Sequence, residues 1–451
     1  MRKLCLVLAV AACLVTIGCS KRNASSAGAS ADSGFLGAAS KYDVENMQFN
    51  NVTLRVSTRF SADVPMERYY RQKAQEFSDM DNGITIVQDN IATEQDYQNR
   101  LRTNLASGSS PNIFQEYGGS RTVDFVTDGI LLNFQPYFDQ YPDWYQGFLP
   151  STWEKLYYEG IDGMWGLPYA MYTVVLYYNK EIFARYNLSP PQSWDDLLDV
   201  CQKLMANGVR PFRVGENDIW RLGHFNNNTI IKSLGVDVVA QLAKREVKYD
   251  SPEMIKTYDV IKDLIDKGYM GENILSTTYD QEKAYFSQEA CAMRWDGSWY
   301  VSEITGTPIF EKTGAVAFPY IDPQYKNYAQ GGVSDMLFIS TMGKPDEENA
   351  AAVKYLKYLT SSPYYAGMNE IAAGIFPVRF TRTPNTPPNP LMDEVQAIVN
   401  SMAEMRGDVQ DYDPQSHMID TVRSALQTMG LGNTGAQVGA EIVNRMREYG
   451  E

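Results

Sequence analysis

The four residues Asp296-Gly297-Ser298-Trp299 carry the clearest chemical signal in the chain. The largely apolar segment 290–295 before them is predicted to be a buried strand, so Asp296 should emerge at its carboxyl end. Gly297 permits a tight turn, and Trp299 is expected to open the next helix. A carboxylate can bind polar groups of a ligand, and an indole can cover an apolar ligand face. We therefore predict that Asp296, Gly297 and Trp299 contact a ligand.

Further candidates lie where the strands of a parallel sheet are predicted to end. The pattern over 52–114 predicts strand, helix, strand, helix and strand, which is typical of a parallel sheet covered on both faces. Ligands of such sheets bind at loops beyond the carboxyl ends of the strands. Four residues lie on loops of this kind: Arg59, Phe60, Glu116 and Tyr117.

Two later segments add three candidates. The irregular stretch GENDIWRLGHF offers Trp220 for stacking on a ligand. In the same stretch His224 is either a ligand contact or a hydrogen-bonded core histidine. Arg379 follows Gly374-Ile375-Phe376-Pro377 and is a candidate contact, with a surface ion pair as the alternative.

Composition excludes several function classes. The 451 residues hold 40 Lys and Arg against 55 Asp and Glu, a formal charge of −15, which argues against nucleic-acid binding. The only histidines are His224 and His417, too few for a three-histidine zinc site. No Walker loop, GxSxG or CxxC motif occurs, and we expect no cofactor and no metal. The length favours two lobes over one core.

The N-terminus has the pattern of a bacterial lipoprotein signal. A basic start at 1–3 precedes an apolar run at 4–17 and then Gly18-Cys19. We predict a signal peptide over 1–18, lipidation of Cys19, and a flexible Ser/Ala/Gly-rich tether over 19–40. The protein should then be exported and anchored to the cell membrane. Loss of Arg2 and Lys3 with the signal would make the mature formal charge −17. The remaining cysteines, Cys201 and Cys291, are predicted to be buried free thiols.

Six segments in order resemble the extracellular solute-binding proteins of family 1, which serve ABC-type sugar importers and are distantly similar to maltose-binding protein. These segments are GLPYAMYTVVLYYNK, QSWDDLLDVCQKL, AYFSQEACAMRWDGSW, GAVAFP, GGVSDMLFIS and NAAAVKYLKYLTS. The resemblance runs from about Val52 to the C-terminus. It implies a non-enzymatic protein that captures a sugar or oligosaccharide and delivers it to permease subunits, and we expect a monomer.

The resemblance also implies an α/β fold of the type II periplasmic-binding-protein kind. Each of two lobes would be a mainly parallel sheet flanked by helices, with hinge crossovers between the lobes. We predict lobe one over 41–170 and 331–387, and lobe two over 171–330 and 388–451. Ligand would bind in the cleft between them.

The family places further cleft residues at the crossovers. Tyr172 matches a position that faces the cleft in relatives, with hinge packing as the alternative. Gly332 and Asp335 lie in the segment that returns to lobe one, where glycines allow backbone to approach ligand.

Three alternatives stay open at this point. A glycoside hydrolase would need two facing carboxylates, for which Glu116 and Asp296 are the candidates. A surface glycan-binding lipoprotein would serve no transporter. A related importer could instead carry a polyamine or a glycerophosphodiester.

Overall fold

The computed structural model describes residues 40–450; the predicted signal 1–18, Cys19 and the tether up to residue 39 lie outside the described residues. Over 40–450 the chain forms eight strands and eighteen α-helices. The strands are β1 (Val52–Thr58), β2 (Ile84–Asn90), β3 (Ile113–Glu116), β4 (Leu167–Asn179), β5 (Met293–Gly297), β6 (Thr313–Ala317), β7 (Tyr328–Ile339) and β8 (Glu404–Arg406). The helices are α1 (Pro65–Asp79), α2 (Glu94–Ala106), α3 (Val123–Thr127), α4 (Gln135–Gln140), α5 (Pro142–Gly147), α6 (Lys180–Arg185), α7 (Trp194–Ala206), α8 (Arg221–Leu234), α9 (Asp237–Ala243), α10 (Pro252–Asp266), α11 (Tyr279–Ser287), α12 (Trp299–Ile304), α13 (Pro308–Lys312), α14 (Asp346–Leu359), α15 (Ser362–Ile371), α16 (Pro390–Ser401), α17 (Met418–Gln427) and α18 (Gly435–Glu448). Short 3₁₀ helices cover Gly119–Arg121, Pro150–Leu156, Pro323–Tyr325, Val409–Tyr412 and Thr428–Leu431.

The predicted parallel unit at the start of the folded chain is confirmed. β1 pairs in parallel with both β2 and β3, and α1 and α2 form the connections. Helix α1 buries Tyr69, Tyr70, Ala74 and Phe77 along one face, at the spacing that brings helical side chains together.

The pairing around β4 differs from the expected mainly parallel sheet. Both β5 and β6 pair antiparallel to β4. The physical reason is the path of the chain. The first half of β4, to Thr173, pairs with β7, and the second half pairs with β5 and β6. The pairing of β4 with β7 ends at Thr173. The carboxyl ends of β5 and β6, Gly297 and Ala317, pair with Val174 and Val175, close to that point, so both strands run antiparallel to β4.

The buried side chains form three apolar clusters in the described chain. One draws its members from 44–169 and 333–378. A second draws from 172–318 and 409–446, and a third from 175–315 and 391–395. Long strands β4 and β7 each contribute to the first cluster, and β4 also contributes to the other two.

Two predicted strand bounds are wrong by a few residues, and both affect candidate residues. β3 extends to Glu116, so this carboxylate lies in the strand and only Tyr117 begins the loop. β5 begins at Met293 and contains both Asp296 and Gly297. Trp299 opens α12 as expected, and Cys201 and Cys291 are buried free thiols as predicted.

Candidate functional site

Five rings form what we call the aromatic group: Tyr172, Trp220, His224, Tyr279 and Trp299. The Tyr172 ring lies 5.7 Å from Trp299 and 6.2 Å from His224, measured between centroids. Trp220 lies 4.9 Å from both His224 and Tyr279. The two indoles and Tyr279 are only partly buried, so their surfaces are available to a ligand.

Several elements hold these rings together. Tyr172 stands on β4, Trp220 and His224 at the start of α8, and Trp299 at the start of α12. A Cβ atom at Gly297 would stand about 2.0 Å from the Trp299 ring, so this position requires glycine. The predicted turn residue therefore sets the position of the indole.

Asp408 is the polar centre beneath the rings. Its Oδ1 accepts hydrogen bonds from Tyr172 Oη at 3.0 Å and Gln330 Nε2 at 2.6 Å, and lies 3.4 Å from His224 Nε2. Its Oδ2 accepts from Arg423 at 3.1 Å. Burial raises the pKa of Asp408, but His224 and Arg423 lower it more, so this pKa lies well below its ordinary value. The carboxylate is charged and orients the Tyr172 ring.

A second group, which we call the polar group, consists of the side chains of Arg59, Glu94, Tyr117 and Arg121. Glu94 binds Arg59 at 3.2 Å and Tyr117 Oη at 3.0 Å, and lies 3.6 Å from Arg121. The Arg121 guanidinium also covers the Tyr117 ring at 4.7 Å. Burial raises the pKa of Glu94, but Arg59 and Arg121 lower it more, to about 2. Predicted residues Arg59 and Tyr117 are thus brought together by Glu94.

The two predicted acids nearby are turned toward protein groups. Glu116 is buried and accepts from the backbone N–H of Tyr117 at 2.9 Å. Asp335 accepts from Ser334 at 2.7 Å and from Gln115. Burial raises the pKa of both carboxyls.

The C-terminal segment links the polar group to the aromatic group. Asp411, three residues after Asp408, binds Lys155 at 2.9 Å, and both side chains are buried. Arg121 approaches the same carboxylate at 3.9 Å. Arg423 binds Asp408 and also lowers the pKa of Glu94. The two groups therefore share one electrostatic environment.

Asp296 is a buried carboxylate with several protein partners. It has no exposed surface, and Arg294, Tyr279 and the backbone N–H of Gly297 all donate to its carboxylate. Arg221 lies 3.6 Å away. These partners satisfy the carboxylate inside the protein, so its contacts are with the fold beneath the rings.

Three remaining candidates are distributed more widely. Phe60 packs on Tyr70 and Tyr169 of the first apolar cluster. Gly332 has φ of +144° and lies opposite Tyr172 in the β4–β7 register. Arg379 is outside both groups: its guanidinium donates to the carbonyls of Gln146 at 2.6 Å and Phe148 at 2.8 Å, near the end of α5. A ligand contact of Arg379 stays a prediction.

Sequence reasoning missed five side chains of this site: Glu94, Arg121, Tyr279, Asp408 and Arg423. Glu94 is in the first turn of α2, where an acid is explained by the helix dipole alone. Asp408 is 236 residues from Tyr172, and no local pattern marks it. Among residues 40–450, no three His, Cys, Asp or Glu side chains are grouped to hold a metal ion.

The family model described as bacterial extracellular solute-binding protein matches residues 64–366, more than half of the chain. The multiple sugar-binding protein of Streptococcus mutans is 28% identical over 197 residues, 42% of this chain and 45% of that protein. The sn-glycerol-3-phosphate-binding periplasmic protein of Rhizobium meliloti is 26% identical over 243 residues, 49% of this chain and 51% of that protein. The chain thus matches about half the length of these curated relatives.

A solved chitin oligosaccharide binding protein superposes with a TM-score of 0.78 at 23% identity, covering 88% of this chain and 98% of that chain. This likeness confirms the predicted two-lobed α/β fold of type II. Over residues 40–450, no helix combines the length and apolar character required to cross a bilayer.

Proposed function

Since this chain belongs to the bacterial extracellular solute-binding protein family, we propose that it is the substrate-binding component of an ABC-type importer. It captures a sugar or oligosaccharide between its lobes and delivers it to membrane permease subunits. The observation that carries the proposal is the aromatic group beside a charged hydrogen-bonding centre, Asp408. Rings cover the C–H-rich faces of a sugar, and charged or amide groups bind its hydroxyls. The family supports binding over the hydrolase alternative, and Asp296, one of its two candidate carboxylates, is enclosed by protein partners.

Trp299, Trp220, Tyr172 and His224 are proposed to cover the ligand from the second lobe. From the first lobe, Arg59 and Tyr117 are proposed to bind hydroxyls, together with Glu94. Gly332, the partly exposed register partner of Tyr172, is proposed to let the ligand approach the backbone.

The proposed lobe boundaries, 41–170 with 331–387 and 171–330 with 388–451, are supported by the apolar clusters. Members of the first cluster stop at Tyr169 and resume at Val333, whereas members of the second start at Tyr172. Closure of such lobes around a ligand excludes water from the hydrogen bonds.

Pairing of the cationic groups favours an uncharged cargo over a phosphate ester. Arg59 is bound to Glu94, Lys155 to Asp411 and Arg423 to Asp408. A phosphate would have to compete with a carboxylate already bound to each cation, whereas a sugar hydroxyl can be added without displacing a charge.

A thermal-shift series tests this proposal. We expect a neutral mono- or oligosaccharide to raise the melting temperature, because a ligand at 100 times its Kd adds about 2.7 kcal/mol to stability. sn-Glycerol 3-phosphate and spermidine, at the same concentrations, should leave it unchanged. A shift with the phosphate ester or polyamine alone would contradict the sugar proposal.

We further propose that Cys19 is lipidated after removal of residues 1–18, anchoring the exported protein to the cell membrane. Replacing Cys19 by Ser should release the protein from the membrane fraction, because serine cannot form the thioether. Immunoblots of membrane and soluble fractions measure the change. The matched control is Cys201→Ser, a buried thiol of the folded body, which should still sediment with membranes. A Cys19→Ser protein that sediments in a detergent-sensitive manner would show that another segment forms the anchor.

A further inference from the structure

Tyr279 connects both indoles of the aromatic group to a buried ion cluster. Its hydroxyl lies 3.0 Å from Trp299 Nε1 and 2.9 Å from Asp296 Oδ2. Its ring lies 4.9 Å from the Trp220 ring. His224 also lies beside both tryptophans and Asp408, but its contacts with the indoles are between rings, whereas Tyr279 hydrogen-bonds the Trp299 indole nitrogen.

The direction of the hydrogen bonds through Tyr279 follows from the available protons. An indole nitrogen only donates, and an ionised carboxylate only accepts. The phenol must therefore accept from Trp299 and donate its single proton to Asp296. The two hydrogen bonds can therefore be arranged in only one way, with Trp299 donating to Tyr279 and Tyr279 donating to Asp296.

Asp296 is kept ionised by its surroundings. Burial raises its pKa, but Arg294 and Arg221 lower it more, so the pKa lies below its ordinary value. Both arginines also approach Glu282, which binds Arg221 at 2.6 Å and 3.0 Å and lies 3.7 Å from Arg294. Two cations and two anions, all nearly without exposed surface, thus balance in charge.

The cluster also fixes the Tyr279 ring itself. The guanidinium groups of Arg221 and Arg294 lie 5.5 Å and 5.4 Å from its centroid. Arg221 lies 4.8 Å from the Trp220 ring as well. The two guanidinium groups restrain the Tyr279 ring, and the two hydrogen bonds restrain its hydroxyl. The hydroxyl is therefore held in one position relative to the Trp299 indole.

We propose that Tyr279 is the positioning residue of the ligand site, holding the Trp299 indole in its binding orientation through Asp296 and the buried arginines. The inference deepens the proposed function and rests on it for the effect on affinity. It assigns to Asp296 an indirect role: the carboxylate acts on the ligand only through Tyr279 and Trp299. With the indole N–H already bonded inside the protein, Trp299 offers the ligand its face.

Tyr279→Phe tests the proposal by removing one oxygen and leaving the ring. We expect affinity for a sugar identified by the thermal-shift series to fall about 3- to 10-fold, the usual effect of one hydrogen bond. The matched control is Tyr258→Phe, a buried tyrosine of the same lobe whose hydroxyl donates to the carbonyl of Tyr249 at 3.1 Å. That variant should keep normal affinity.

A second readout needs no ligand. In protein labelled with ¹⁵N-tryptophan, the Trp299 indole N–H, assigned with Trp299→Phe, should exchange slowly with solvent. In Tyr279→Phe it should shift and exchange faster, and in Tyr258→Phe it should not change. An indole signal unaltered by Tyr279→Phe would overturn the proposal. So would equal losses of affinity in the two phenylalanine variants. If no sugar binds the wild-type protein, the proposed function fails, while the indole signal still decides whether Tyr279 positions Trp299.

Discussion

Replacing Trp299 by alanine should weaken sugar binding roughly 10- to 70-fold, because the indole is the partly exposed ring next to Tyr172 and His224. Stacking on one sugar face buries roughly 60–100 Å², and at about 25 cal/mol per Å² this stabilises the complex by about 1.5–2.5 kcal/mol. Since each 1.4 kcal/mol is about tenfold in affinity, the loss follows directly. Calorimetric titration with the sugar found by thermal shift measures it.

A melting curve on the same variant separates binding from stability. Truncating a core tryptophan typically costs about 3–5 kcal/mol of stability, and a partly exposed one should cost less. The matched control is Trp194→Ala, a buried tryptophan of the second apolar cluster that packs edge-on against Phe225. It should lower the melting temperature and leave the affinity unchanged. If Trp299→Ala instead behaves like this control, its indole is structural, and ligand contacts should be sought around Trp220 and Tyr172.

Replacing Glu282 by alanine should lower the free energy of unfolding by about 3–5 kcal/mol, the usual cost of removing one partner from a buried ion pair. Glu282 binds the fully buried Arg221 through two hydrogen bonds and lies beside Arg294. Without it, two buried guanidinium groups share one carboxylate, Asp296. One positive charge is then left uncompensated away from water. Urea denaturation followed by circular dichroism measures the loss.

The control for this loss is a carboxylate in an exposed pair. Asp199 binds Lys203 at 2.6 Å on α7, with more than half of each side chain exposed. Asp199→Ala should change stability by no more than about 1 kcal/mol, since exposed pairs contribute little. Comparable losses in the two variants would mean that the buried ion cluster of Glu282, Arg221, Arg294 and Asp296 contributes no more to stability than an exposed pair.

Most local elements were predictable because short-range patterns determine them. Helix α1 follows from apolar residues at helical spacing, and β1 from alternation of apolar and polar residues. The Ser193 capping box at the start of α7 has both of its hydrogen bonds, as its sequence pattern indicates. The bounds of β3 and β5 were less accurate, because strand ends depend on neighbouring strands as well as on their own residues.

The site was predictable only in part. Features that depend on neighbouring residues could be predicted, and contacts between residues far apart in the chain could not. The sequence by itself determined that Arg59, Tyr117 and Trp299 lie just after the ends of strands, because the patterns of the residues next to them predict those strands. It also contained the ordered segments that identify the family. Only the tertiary structure decided that Asp408 binds Tyr172, that Glu94 joins Arg59 to Tyr117, and that Asp296 is enclosed by Arg221 and Arg294. These contacts join residues far apart in the chain, so the packing of whole elements sets them. Whether a carboxylate faces solvent or a buried guanidinium depends on that packing, and no local pattern records it.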